Sequence, residues 1–224
     1  MRILLIGHGR MGRLVESLAD EHGCEVAGVV SRSSGERSIA SDFGDLDVAI
    51  DFSLPDAVQD NLVACARRKL NVVIGTTGWQ AREDEARQIA DEAGIGVMAS
   101  ANFALGMHVF RRVAMEAARL FAPMAGTGAW LHEKHHAAKK DAPSGTALML
   151  KRAMESAGFN RGIDVSSTRA GSIPGTHEIG FDAAAETVTL THTVRDRAVF
   201  AHGALEAAKW LRGRRGWFTI DDML

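Results

Sequence analysis

Apolar positions along the chain follow two patterns, and the change between them falls near the middle. In the first hundred residues, short apolar runs alternate with amphipathic stretches. Residues 3–6, 25–30, 47–52, 71–74 and 95–99 are apolar runs of strand length. Between them, residues 11–20 space Met11, Leu14, Val15, Leu18 and Ala19 along one helical face. Pro55 suits the first turn of a helix running to about Cys65, and residues 80–93 form a charged helix that buries Ala86, Ile89, Ala90 and Ala93. Strands separated by helices predict a parallel sheet with crossover helices.

Beyond Asn102 the pattern is different. Residues 103–121 read as one long helix, 129–133 as a strand, and 144–157 as a helix that Ser144 is placed to cap. Residues 165–194 alternate in strand fashion, most clearly from Thr187 to Thr191, and 203–211 close as a helix. A parallel α/β half therefore precedes an α+β half. Residues 171–175 are the most loop-like stretch.

Composition narrows the classes. A chain of 224 residues makes one large domain or two small ones, and 46% hydrophobic with 24% charged residues is a globular mixture. A formal charge of −2 argues against a nucleic-acid partner. Two cysteines, Cys24 and Cys65, lie far apart and outside any CxxC pair, which excludes a disulfide scaffold and a Cys-rich zinc site and fits a reducing cytoplasm. Both read as core residues. With no tyrosine in the chain, catalysis by tyrosine is excluded. Residues 94–110 carry no formal charge but include Asn, Ser and His and fall short of the ~20 apolar residues of a membrane span. The expectation is a soluble cytoplasmic protein.

Two segments carry candidate chemistry. Gly7-His8-Gly9-Arg10-Met11-Gly12 is G-x-G-x-x-G, following a predicted strand and opening a predicted helix. In that context Gly7 permits the tight turn, Gly9 lets backbone approach a pyrophosphate, and Gly12 lets helix and strand pack closely. After the second strand come Ser31-Arg32-Ser33-Ser34, with no carboxylate before Glu36. A carboxylate there would bind the ribose of NAD, whereas Arg32 suits a 2′-phosphate, so NADPH is expected over NADH. A solvated loop arginine is the alternative. Gly75-Thr76-Thr77-Gly78 and Ser100-Ala101-Asn102-Phe103 follow strands four and five, where ligands of open α/β sheets bind, although a simple turn explains the first equally well.

The second segment runs from His132 through His135, His136, Lys139 and Asp141 to Pro143-Ser144-Gly145-Thr146. Ser144, Gly145 and Thr146 at a helix start offer backbone N–H groups to an anion, with a proton source and a cation just upstream. A metal is a competing reading for the three histidines, but no H-E-x-x-H accompanies them, and strand geometry sends His135 and His136 to opposite faces. A solvated polar loop is another. The run Arg212-Gly213-Arg214-Arg215 reads as a solvated helix end.

Taken together, the motifs resemble the 4-hydroxy-tetrahydrodipicolinate reductase family, nearly end to end. The resemblance rests on the glycine opening, Asp51-Phe52-Ser53, Gly75-Thr76-Thr77-Gly78, Ala101-Asn102-Phe103 with Gly106, and His135-His136. It continues through the specific block Lys139-x-Asp141-Ala142-Pro143-Ser144-Gly145-Thr146-Ala147, then Arg169-x-Gly171, Gly175-x-His177 and Phe200-Ala201-His202-Gly203-Ala204. It implies a Rossmann-like dinucleotide-binding domain, residues 1–102 and 203–224, plus an α+β domain, residues 103–202, that binds substrate and builds a homotetramer. The implied reaction is NAD(P)H-dependent reduction of a cyclic dicarboxylate in the diaminopimelate route to lysine, with no metal. It implies His135 as catalytic acid/base and Lys139 as proton donor. His136, Lys139, Ser144, Gly145 and Thr146 become substrate contacts. Gly7, His8, Gly9, Arg10, Met11, Gly12, Arg32, Gly75, Thr76, Thr77, Ser100, Ala101, Asn102 and Phe103 become cofactor contacts. The chain departs from many members at Ala137 and Ala138, where an Arg and a further His are common, and in a shorter segment at about residues 32–46. Competing functions are a different two-domain dehydrogenase, which leaves the specific block unexplained, and a dinucleotide sensor, which has no need of His135 and Lys139.

Overall fold

The computed structural model describes residues 1–31 and 38–224. The chain divides into two compact units, one of residues 1–105 and 198–224, the other of residues 106–197.

Unit 1 is a six-stranded parallel sheet: β1 (Arg2–Ile6), β2 (Glu25–Val30), β3 (Val48–Asp51), β4 (Asn71–Ile74), β5 (Gly96–Ala99) and β10 (Gly216–Phe218), in the order β10-β5-β4-β3-β1-β2. Successive side chains of a strand face opposite ways, and here both faces are covered. Ile3, Leu5, Val48, Ile50, Val73 and Met98 pack with α1 (Arg10–Leu18) and α6 (Ala198–Leu211). Leu4, Ile6, Ala49, Val72, Ile74 and Val97 pack with α2 (Val58–Arg67) and α3 (Glu83–Ala93). Largely apolar strands, with Asp51 and Asn71 at strand ends, are the consequence of that two-sided burial. Cys24 and Cys65 are free and buried within it.

Unit 2 is a four-stranded sheet of β6 (Gly128–His135), β7 (Ile163–Arg169), β8 (Thr176–Asp182) and β9 (Thr187–Thr193), in the order β7-β6-β8-β9. β6 and β7 are parallel, joined through α5 (Gly145–Ser156), and the other pairs are antiparallel. The burial of β6 alternates strictly, placing Ala129, Leu131, Glu133 and His135 on the inner face. Phe181 on β8 stacks on Phe121 of α4 (Leu105–Phe121), with ring centroids 4.6 Å apart.

Three boundaries differ from expectation for local reasons. The long helix begins at Leu105 and not at 103, because the Asn102 side chain accepts the Ala104 N–H at 2.8 Å and holds residues 102–104 in a turn. The closing helix begins at Ala198, ahead of Gly203, and belongs entirely to unit 1. After it, β10 and the short helix α7 (Ile220–Met223) were not anticipated. Among the described residues, no helix is long and apolar enough to cross a membrane.

Candidate functional site

In unit 1 the chain leaves β1 toward β2 on one side and toward β3 on the other, so the turn after β1 sits at a topological switch point. A cavity of about 490 Å³ opens there, lined by Gly7, His8 and Gly9 after β1, Val30 and Ser31 at the end of β2, and Phe52, Ser53, Leu54, Ala57 and Asn61 after β3. The three glycines have separate duties. A Cβ on Gly7, whose φ is +92°, would lie 2.4 Å from the Phe52 carbonyl oxygen, and one on Gly12 would lie 2.1 Å from the Gly7 carbonyl oxygen. A Cβ on Gly9 would meet nothing within 4 Å. Gly7 and Gly12 are therefore required by packing, whereas Gly9 borders open space. Gly9 is also the N-cap of α1, and no side chain caps the first-turn N–H groups. An open cradle ending in uncapped donors fits a pyrophosphate.

A second, smaller cavity of about 350 Å³ is lined by Gly9, Arg10, Met11, Gly75, Thr76 and Thr77, together with Phe52, Ser53 and Pro55. Asp51 at the end of β3 organises these loops. Its carboxylate accepts from the Ser53 N–H at 2.7 Å, the Thr76 hydroxyl at 3.0 Å and the Asn61 side chain at 2.9 Å. Burial raises the Asp51 carboxyl above its ordinary value, against the lowering effect of those bonds. Ser100, Ala101, Asn102 and Phe103 form the turn after β5, in which the Ser100 hydroxyl accepts the Asn102 N–H at 3.1 Å. Arg32 lies outside the described residues.

In unit 2 the candidate residues gather at the end of β6. Glu133 and His135 share its inner face. The Arg169 guanidinium, at the end of β7, donates to Glu133 Oε1 at 2.6 Å and also to the Asp141 carbonyl. The Ser144 N–H donates to the same Oε1 at 3.3 Å. Glu133 Oε2 is in contact with His135 Nδ1. Burial alone would raise the Glu133 carboxyl, but hydrogen bonds from Arg169 and Ser167 and the charges of His135 and Arg169 outweigh it and bring it down to about 2. His135 is lowered chiefly by desolvation, with Glu133 working in the opposite direction.

His177, opposite Glu133 on β8, packs edge-on against His135 with centroids 5.2 Å apart. Its Nε2 lies 3.3 Å from the Ser144 hydroxyl. Desolvation, then the charge of His135, pushes its pKa down to about 4. Ser144 caps α5 as expected, its hydroxyl accepting the Ala147 N–H at 3.1 Å. Gly145 and Thr146 form the first turn of that helix. Lys139 follows a turn closed by its own N–H on the His136 carbonyl, and its ammonium pairs with Asp141 at 2.7 Å. His136, one residue beyond β6, is half-buried.

Ligand atoms of Glu133, His135 and His177 fall within 4.8 Å of one another. Within that set the carboxylate is paired with Arg169. Glu133, Arg169 and His177, like Asp51, Phe52, Ser53 and Asn61 in unit 1, had no role assigned from sequence. The available signal for Glu133 was strand alternation, which puts it on the face of His135.

A glycine cradle at the switch point of a parallel sheet, and a cluster of carboxylate and imidazole groups beside a capped helix start, define a dinucleotide-dependent oxidoreductase. Two family profiles cover the chain: "Dihydrodipicolinate reductase, N-terminus" matches residues 1–103, and "Dihydrodipicolinate reductase, C-terminus" matches residues 106–224. The chain belongs to the dihydrodipicolinate reductase family, and its cofactor is a pyridine nucleotide. It is 32% identical over 235 residues to a 4-hydroxy-tetrahydrodipicolinate reductase of Christiangramia forsetii, covering 100% of this chain and 98% of that one. To the enzyme of the same name from Stenotrophomonas maltophilia it is 37% identical over 239 residues, again covering 100% and 98%. A dipicolinate-bound dihydrodipicolinate reductase from Paenisporosarcina sp. TG-14 shares the fold, with a TM-score of 0.83 at 20% identity, over 100% of this chain and 99% of that one.

Proposed function

We propose that the chain reduces 4-hydroxy-tetrahydrodipicolinate to tetrahydrodipicolinate in the diaminopimelate route to lysine, with NADPH preferred and NADH accepted. Net, one hydride and one proton enter and one water leaves. The observation that carries the reading is the unit 2 cluster, in which a carboxylate-held imidazole and an ammonium group adjoin the start of α5. The pyridine nucleotide supplies the hydride when bound. Gly7, Gly9 and the first turn of α1 hold its phosphates. The N–H groups of Gly145 and Thr146 receive one substrate carboxylate, which takes the place of the Asp141 carboxylate on Gly145, and His136 and Lys139 contribute charge and hydrogen bonds to the same anion. Lys139 donates a proton to the substrate nitrogen, and His135 serves as acid/base.

The NADPH preference rests on the absence of a carboxylate in residues 31–34 and on Arg32. The homotetramer implied by the resemblance belongs to the same proposal. Calorimetry with pyridine-2,6-dicarboxylate, a planar dianion, tests the anion site. Binding to the NADPH-loaded protein is expected, with a loss of about tenfold or more in Lys139→Ala. Equal binding by the two proteins contradicts the assignment.

A further inference from the structure

We propose that Glu133, clamped by Arg169, is the positioning residue that fixes the ring and the tautomer of His135, so that Nε2 is the atom that exchanges a proton with substrate. The inference rests on His135 being the acid/base of the proposed reaction and adds how that imidazole is set.

Alternation along β6 puts Glu133 and His135 on one face, and the Glu133 side chain has no exposed surface. Its two oxygens are divided. Oε1 accepts from Arg169 and from the Ser144 N–H. Oε2 is in contact with His135 Nδ1, where Glu133 acts on the ring by charge and by a side-chain hydrogen bond, and the Ser167 side chain also donates to this carboxylate. An ionised carboxylate can only accept. The proton of a neutral His135 ring must then sit on Nδ1, which leaves Nε2 as the basic nitrogen. Gly175 accommodates that edge of the ring: a Cβ there would lie 3.2 Å from Nε2. A carboxylate behind a histidine sets tautomer and orientation in this way in many hydrolytic and metal sites.

Arg169 does two things at once. It keeps Glu133 charged, and through the Asp141 carbonyl it ties the segment that carries Lys139 to the same carboxylate. The charged and titratable groups around the pair are Arg169 on β7, His177 on β8, His192 beyond it on β9, and Lys139 and Asp141 in the loop after β6. Glu133 is the group that favours a protonated His135, with Lys139 and Arg169 opposing it.

The test uses the full chain with Glu133→Gln and Glu133→Asp. In Glu133→Gln, kcat is expected to fall about 10- to 100-fold, with KM and NADPH affinity nearly unchanged. The limb of the kcat/KM pH profile that belongs to His135 should move to lower pH, because the stabilising negative charge is gone. Glu133→Asp should restore part of the rate and return the limb toward its original position. An unaltered rate and pH profile in Glu133→Gln overturns the proposal. Nitrogen-15 spectra of His135 in the wild-type protein provide an arm independent of folding in the variants. A ring protonated at Nδ1 near neutral pH supports the proposal, and one protonated at Nε2 overturns it. A wild-type protein with the Nδ1 tautomer but no turnover would remove the proposed reaction while leaving this assignment standing.

Discussion

His177 carries a strong acid sensitivity at the scale of single residues. Unfolded, its imidazole takes a proton near the ordinary 6.5, and folded only near about 4. Between those values the unfolded chain binds the extra proton, so His177 costs stability as pH falls through that window. The full effect is on the order of 3 kcal/mol. Thermal midpoints at pH 7 and pH 5 should therefore differ less in His177→Gln than in the wild type, and an equal drop in both would refute the assignment. Other groups titrate in the same range, but the difference between the two proteins isolates this one. His135→Gln should lower kcat by ~100- to 10,000-fold while leaving NADPH binding intact. Lys139→Ala should lower kcat and raise KM together, since the proposed mechanism gives the ammonium both proton transfer and anion binding. Steady-state kinetics with fluorescence titration of NADPH separates these outcomes. His135, Lys139 and Ser144 were legible because they stand within ten residues of one another in a dense polar run. Glu133 was not, although it lies in the same run. Its meaning depends on Arg169, 36 residues away and adjacent only once β6 and β7 pair. Asp51 was hidden for the same reason, since its partner Thr76 is 25 residues distant.

At the scale of elements, the central strands of unit 1 were readable because burial on both faces makes them largely apolar. β10 escaped, being three half-buried residues paired only with β5 at the sheet edge. The start of α6 was obscured by the charged segment Arg195-Asp196-Arg197 just before it. Gly203 marks a close approach inside that helix: a Cβ there would lie 1.7 Å from the Phe103 carbonyl oxygen. Gly203→Ala should therefore destabilise the fold by on the order of 1–3 kcal/mol, read as a lower thermal midpoint. Gly9→Ala should spare the fold and act on the ligand. With no atom within 4 Å of the added methyl, the midpoint without nucleotide should hardly move. NADPH affinity should fall about tenfold or more. A Gly9→Ala protein that binds NADPH normally would mean the open side of that turn is not where the phosphates lie.

At the scale of the whole molecule, the two units divide the chemistry as they divide the chain. Unit 1 carries the glycine turn and its cavity, proposed for the nucleotide, and unit 2 carries the imidazole, the ammonium and the helix start proposed to receive the anion. The switch from parallel α/β to antiparallel alternation along the sequence falls near residue 102, and the two units meet at residues 105 and 106. A nucleotide that binds only the folded protein stabilises it by about 2.7 kcal/mol at a hundredfold excess over Kd. NADPH should therefore raise the thermal midpoint more than NADH at equal concentration, and the reverse order would contradict the role given to Arg32. The most direct test of the central claim is turnover. Purified wild-type protein is supplied with NADPH, and its substrate is generated in place from pyruvate and aspartate semialdehyde by the preceding synthase. The prediction is NADPH oxidation that requires every component and nearly vanishes in His135→Gln. No oxidation by the wild type, or an undiminished rate in His135→Gln, would contradict the account.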